Sequence, residues 1–127
     1  MAKSDNGSVS WLDLTVKDAD SVRDFYEAVV GWSSGDVEMD GYSDFNMFAG
    51  DPELPVAGIC HARGSNEGIP PHWMIYINVD DLDQSVLACE ARGGEVVRLP
   101  SQAGSGRIAM IRDPAGACVA LYQAEST

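Results

Sequence analysis

The feature that most restricts what this chain can fold into is that it repeats itself. At an offset of 63 residues Val16 matches Val79, Asp18 matches Asp81, Asp20 matches Asp83, Glu27 matches Glu90, Ala28 matches Ala91 and Gly31 matches Gly94. The same offset pairs Met47 with Met110, Val56 with Val119 and Ala57 with Ala120. A repeat of this length spans several elements, so the two halves are expected to be one supersecondary plan built twice.

In the first copy, residues 11–16 alternate, with Leu12, Leu14 and Val16 on one face and Trp11, Asp13 and Thr15 on the other. That period of two marks a half-buried strand. Asp18 can accept from the free N–H groups of a following helix, and Asp20 adds charge where the helix dipole favours it. Val22, Phe25, Tyr26, Val29 and Val30 then fall on one stripe, and Gly31 supplies a helix stop. Strands are predicted at 37–39, 42–48 and 55–62, with Gly50-Asp51-Pro52-Glu53 as a turn. Residues 63–71, R-G-S-N-E-G-I-P-P, have turn chemistry and serve as a connector. The second copy runs as a strand at 73–79, a helix capped by Asp81 and carrying Leu82, Val86 and Cys89, and strands at 95–99, 107–112 and 117–123. The predicted fold class is α+β: two βαβββ modules in one domain, residues 1–127, with module one at about 8–63 and module two at about 72–124. Each four-stranded, antiparallel unit covers one face with its helix and curls the other, so the pair is expected to form a mixed-sheet cleft with flanking helices.

Composition narrows the partners. The 8 Lys and Arg against 20 Asp and Glu give a formal charge of -12, which repels phosphate backbones and anionic membranes, so neither nucleic acid nor a membrane is expected. The acidity reads first as solubility and second as an attraction for cationic ligands. No apolar run reaches the roughly 20 residues of a membrane span, and the polar start lacks a signal-peptide core; a cytoplasmic location is the expectation. Cys60, Cys89 and Cys118 are odd in number and far apart, which points to buried reduced thiols rather than disulfides or a clustered zinc site.

The motifs D-F-Y-E-A-V-V-G-W at 24–32, H-W-M-I-Y-I-N-V-D-D-L-D at 72–83 and R-D-P-A-G at 112–116, set in the paired βαβββ plan, resemble the glyoxalase/bleomycin-resistance/dioxygenase superfamily, also called vicinal oxygen chelate. W-L-D-L at 11–14 with P-P-H-W at 70–73 resembles a single-domain glyoxalase-like subgroup. The resemblance implies a divalent ion held by His, Gln or Glu from four strands, at positions that here are Trp11, Ala57, Met74 and Ala120. Indole and alanine offer no donor and a thioether is too soft, so no metal and no cofactor is expected there. For members of this length the resemblance also implies a homodimer.

Alternation gives the rest of the candidate site. Ala57, Ile59 and His61 share one face, His72 lies on the face of Met74, and Tyr76, Cys118, Ala120 and Tyr122 continue it. With Trp11 and Asp13 these residues are expected to line a pocket for a small molecule, partly aromatic and open where the alanines stand. Asp13, a carboxylate between two leucines, is the first candidate for general-base work, with Tyr76 or His61 as its acid–base partner. The preferred function is metal-independent small-molecule binding, sequestering or resistance-like. The alternative is an enzyme of lyase or isomerase type using Asp13 with Tyr76 or His61, or a displaced metal site formed by Asp13, His61 and His72.

Overall fold

The computed structural model describes residues 5–125. In order they form β1 (Val9–Val16), α1 (Ala19–Val30), β2 (Ser33–Glu38), β3 (Ser43–Phe48), β4 (Pro55–His61), β5 (Trp73–Asn78), α2 (Leu82–Ala91), β6 (Glu95–Ala103), β7 (Gly106–Arg112) and β8 (Cys118–Gln123), with a short 3-10 turn at Gly64–Asn66 in the connector. The α+β class and the doubled βαβββ order are as the repeat requires. The chain divides into two compact units, one of Leu12–Trp73 and the other of the described residues up to Trp11 with those from Met74 onward.

In the first unit β2 and β3, and β3 and β4, pair antiparallel, whereas β4 and the later part of β1 run parallel. The all-antiparallel expectation fails because β1 reaches β4 through a helical crossover, the connection parallel neighbours need. Ala19, Phe45, Met47 and Ile59 are buried together, with Val16, Val22, Tyr26, Trp32 and Trp73 packed round them. Asp18 Oδ1 accepts from the Ser21 N–H at 3.1 Å, and Gly31 ends α1 at φ 78°, where a side chain would be strained. The apolar stripe of α1 divides: Val22 and Tyr26 meet the core, while Phe25, Val29 and Val30 stay 55%, 60% and 53% exposed. The five residues span more of the helix circumference than the strands beneath can cover.

In the second unit β6, β7 and β8 are antiparallel neighbours and β8 runs parallel to β5. The start of β1 joins it through the Asn78 N–H donating to the Ser8 carbonyl at 2.8 Å. Leu82, Ala109 and Leu121 form the core, with Ile77, Val79, Val86, Ile111 and Val119 against it. Asp81 Oδ1 accepts from the Gln84 N–H, and Gln123 Oε1 accepts from the Leu82 N–H at 2.7 Å, tying the start of α2 to the last strand.

The internal repeat is not in constant register. Tyr76 stands opposite Ala120, and its counterpart Asp13 stands opposite Gly58. The first strands are therefore related by 63, but β4 and β8 by 62. On the neighbouring pair, Ala109 opposite Leu121 answers to Phe45 opposite Ile59, an offset of 64. The connection between β3 and β4 uses residues 49–54, against 113–117 between β7 and β8. The longer connection and a register shift between Met47 and Phe48 together lower the offset by two from β3 to β4, which leaves β4 displaced by one position against β1, and a slip of one turns every side chain to the other face. Pairing Ala57 with Ala120 by sequence offset is corrected: Gly58 holds the position equivalent to Ala120.

Candidate functional site: the polar face of the first unit

On β1, Leu14 and Val16 face α1, so alternation puts Asp13 and Thr15 on the other side. Because Thr15 stands opposite Cys60 and Leu14 opposite Ile59, Cys60 shares the Asp13 face while Ile59 and His61 share the α1 face. The expectation that Ala57, Ile59 and His61 look away from the helix is thereby corrected, and Ile59 is a fully buried core residue. On β3, Phe45 and Met47 point into the core, which leaves Asp44 and Asn46 on the face of Asp13 and Cys60.

The Cys60 Sγ lies 3.8 Å from Asp13 Oδ1 and 3.7 Å from Oδ2, so the thiol can donate to either oxygen. Burial, and then the nearby charges of Asp13 and Asp44, push this thiol far above the ordinary cysteine range, so it stays protonated. Asp44, itself buried, accepts the His61 backbone N–H through Oδ1 at 2.8 Å, and the same oxygen stands 3.2 Å from His61 Nδ1. His61 Nε2 is 3.6 Å from Asp20 Oδ1 in the first turn of α1. Tyr42 meets the imidazole edge-on at 5.4 Å, and the Arg63 guanidinium stacks on Tyr42 at 4.0 Å.

With β4 shifted by one, His61 is the counterpart of Gln123. Both side chains reach from the last strand of their module to the first turn of its helix, which accounts for His61 structurally. Asp13 and His61 lie on opposite sheet faces and do not form an acid–base pair. The Asp13, His61 and His72 trio is not assembled either: among the described residues no group of three or more His, Cys, Asp or Glu side chains is placed to hold a metal ion. His72, at the turn before β5, is half-buried, and its Nε2 is buried without a hydrogen-bond partner. The positions that would hold the implied divalent ion are Trp11, Gly58, Met74 and Ala120, and they do not fit it: none supplies a hard oxygen or an imidazole nitrogen.

In the second unit the expected face is as alternation gave it. Ile77, Val119 and Leu121 turn to the core of α2, so Met74, Tyr76, Cys118, Ala120 and Tyr122 lie on the other side. Met74, Cys118 and Ala120 are buried, and the Tyr122 hydroxyl lies where a Cβ on Gly106 would stand. Burial raises the Cys118 thiol, partly opposed by Arg112. The three cysteines are free. Asp44 and Cys60 are the residues that sequence reasoning missed: Cys60 was hidden by the register slip, and Asp44 by lying in a strand read only for its apolar pattern.

Paired βαβββ units with a parallel first and last strand in each define a glyoxalase-type fold. The sequence profile of the Glyoxalase/Bleomycin resistance protein/Dioxygenase superfamily matches residues 8–121, and the chain belongs to that superfamily. It is 35% identical over 120 residues to CFP32 of Mycobacterium tuberculosis, named as a glyoxylase, covering 93% of this chain and 46% of that protein. It is also 35% identical over 111 residues to the anthracycline biosynthesis protein DnrV of Streptomyces peucetius, covering 87% of this chain and 39% of DnrV. The chain thus spans less than half the length of these relatives. Among solved structures, methylmalonyl-CoA epimerase from Mycobacterium tuberculosis superposes with a TM-score of 0.58 at 17% identity, covering 99% of this chain and 94% of the epimerase. At that identity the likeness speaks for the fold. No helix among the described residues is long and apolar enough to cross a membrane.

Proposed function

We propose that this superfamily member binds a small organic molecule against the polar face of β1, β3 and β4, with Asp13 as the principal contact and without a metal at the usual four positions. The observation that carries the reading is the Asp13 carboxylate with the Cys60 thiol on it and Asp44 beyond. This presents anionic acceptors on a sheet face not covered by α1, and such a set suits a ligand bearing N–H or O–H donors or positive charge. The formal charge of -12 acts in the same direction. The relationship to a protein named for anthracycline biosynthesis supports a small-molecule role of this kind. The working form we read as a homodimer, since two copies would make up the length of the curated relatives. An enzyme of lyase or isomerase type would use the same carboxylate as base, without His61 as its partner.

A thermal-shift screen against cationic and aromatic metabolites tests this. A hit retained by wild type and lost in Asp13→Asn, with the fold of the variant intact, is the expected result. Unchanged binding in Asp13→Asn overturns the assignment, and stoichiometric metal in the purified protein at micromolar affinity overturns the metal-free reading. Catalysis would show as rate loss in Asp13→Asn at retained affinity.

A further inference from the structure

We propose that Cys60 is a positioning residue for Asp13: a neutral thiol that donates its S–H to the carboxylate and holds it in one orientation on the polar face. The proposal rests on the reading of Asp13 as the ligand-contacting group. Its basis is geometric. Sγ is 3.7 and 3.8 Å from the two carboxylate oxygens, within reach for a sulfur donor. Gly58, directly opposite Asp13 on the paired strand, has no side chain to intervene, and Cys60 stands diagonally from Asp13 on the same face. Both strands are fixed by the parallel ladder, so the contact does not depend on a mobile loop.

The other side of the thiol is closed by Asp44. That carboxylate is held by two groups of His61, the amide at 2.8 Å and the ring nitrogen at 3.2 Å, and so it cannot swing away from Cys60. A thiol between two carboxylates is disfavoured as an anion, and burial works in the same direction. The result is a donor that keeps its proton over the working pH range, which steadies a carboxylate as a titrating neighbour would not. Alanine at 60 would remove the donor, whereas serine would keep one on the same strand position.

The test uses the full chain and needs no ligand. In carboxyl-labelled protein, the Asp13 titration followed by NMR is expected to move upward by about half a unit or more in Cys60→Ala, because a donor to the charged form is lost. Cys60→Ser should bring it back toward wild type, a rescue that lost packing would not give. In parallel, iodoacetamide labelling with peptide mapping reads the coupling from the sulfur side. Cys60 should react more slowly than Cys89 in wild type, and about tenfold faster at pH 9 in folded Asp13→Asn, as one pKa unit more thiolate predicts. An Asp13 titration that ignores both Cys60 substitutions, or labelling unchanged in Asp13→Asn, overturns the positioning role and leaves the binding proposal standing. A confirmed coupling with ligand binding indifferent to Asp13→Asn sinks the binding proposal instead.

Discussion

Ile59→Ala bears directly on the β4 register that decides which side chains can meet a ligand. Ile59 is fully buried beside Phe45 and Met47, and pairs with Leu14 on the α1 side. Truncation removes three aliphatic carbons. At about 0.8 kcal/mol per buried CH2 the transfer part is about 2.4 kcal/mol. The strands and α1 cannot close fully on the space, so a cavity contribution brings the loss to about 3–4 kcal/mol, inside the range for buried isoleucine. If Ile59 instead lined an open ligand face, partial exposure would hold the loss near 1 kcal/mol. Cys60→Ala, on the polar face, should cost about 1 kcal/mol by the same area reasoning. Urea unfolding followed by tryptophan fluorescence measures both, and an unchanged slope licenses the comparison. Equal losses in the two variants would refute the register and with it the separation of Asp13 from His61.

Further predictions concern the groups around the two units. Asp44→Ala leaves the part-buried His61 amide without its acceptor and should destabilise by about 1–3 kcal/mol; a loss under about 0.5 kcal/mol in the same unfolding assay would mean that Asp44 is not the anchor described. Gly106→Ala would drive a methyl into the Tyr122 hydroxyl and the Gln123 carbonyl, costing about 1–3 kcal/mol as an overpacked site, and thermal melting at or above wild type would contradict it. The Asp83 carboxyl, hydrogen-bonded and paired to Arg107, titrates below the ordinary carboxylate range. A lowered folded-state value means that its favourable contribution is present above the ordinary Asp range and fades as pH falls through the lowered midpoint. Arg107→Gln should move the Asp83 NMR titration back up, and no movement would refute the pairing.

The repeat and the alternation made most of the fold legible, because capping aspartates, stop glycines and periodicity are local signals. Asp18, Gly31 and Asp81 stand where the sequence put them, at the ends of α1 and α2. β2 starts at Ser33, earlier than the residues near Val37 suggest, since S-S-G-D carries no apolar alternation and is held in place by its neighbour β3. β6 continues through Pro100 to Ala103, as an edge strand tolerates a missing N–H. The faces were harder. Matched residues such as Val56 and Val119 carry the offset of 63 into β4, but face depends on odd or even spacing, and a displacement of one position against β1 defeats it. For that reason Met74, Tyr76, Cys118 and Ala120 keep the face that alternation within their own module predicts, whereas Ala57, Ile59 and His61 stand on the side opposite to the one the offset predicts. Asp44 and Cys60 gave no local signal, because a strand partner 16 residues away is set by pairing and not by pattern.

The proposed small-molecule site on the polar face of the first unit can be read by amide chemical-shift mapping with a screening hit. Saturable shifts centred on Asp13, Thr15, Asn46, Gly58 and Cys60, reduced in Asp13→Asn, are the expected result. Shifts centred on the α1 side, around Phe25, Val29 and His61, with the Asp13 neighbourhood unmoved, would contradict it.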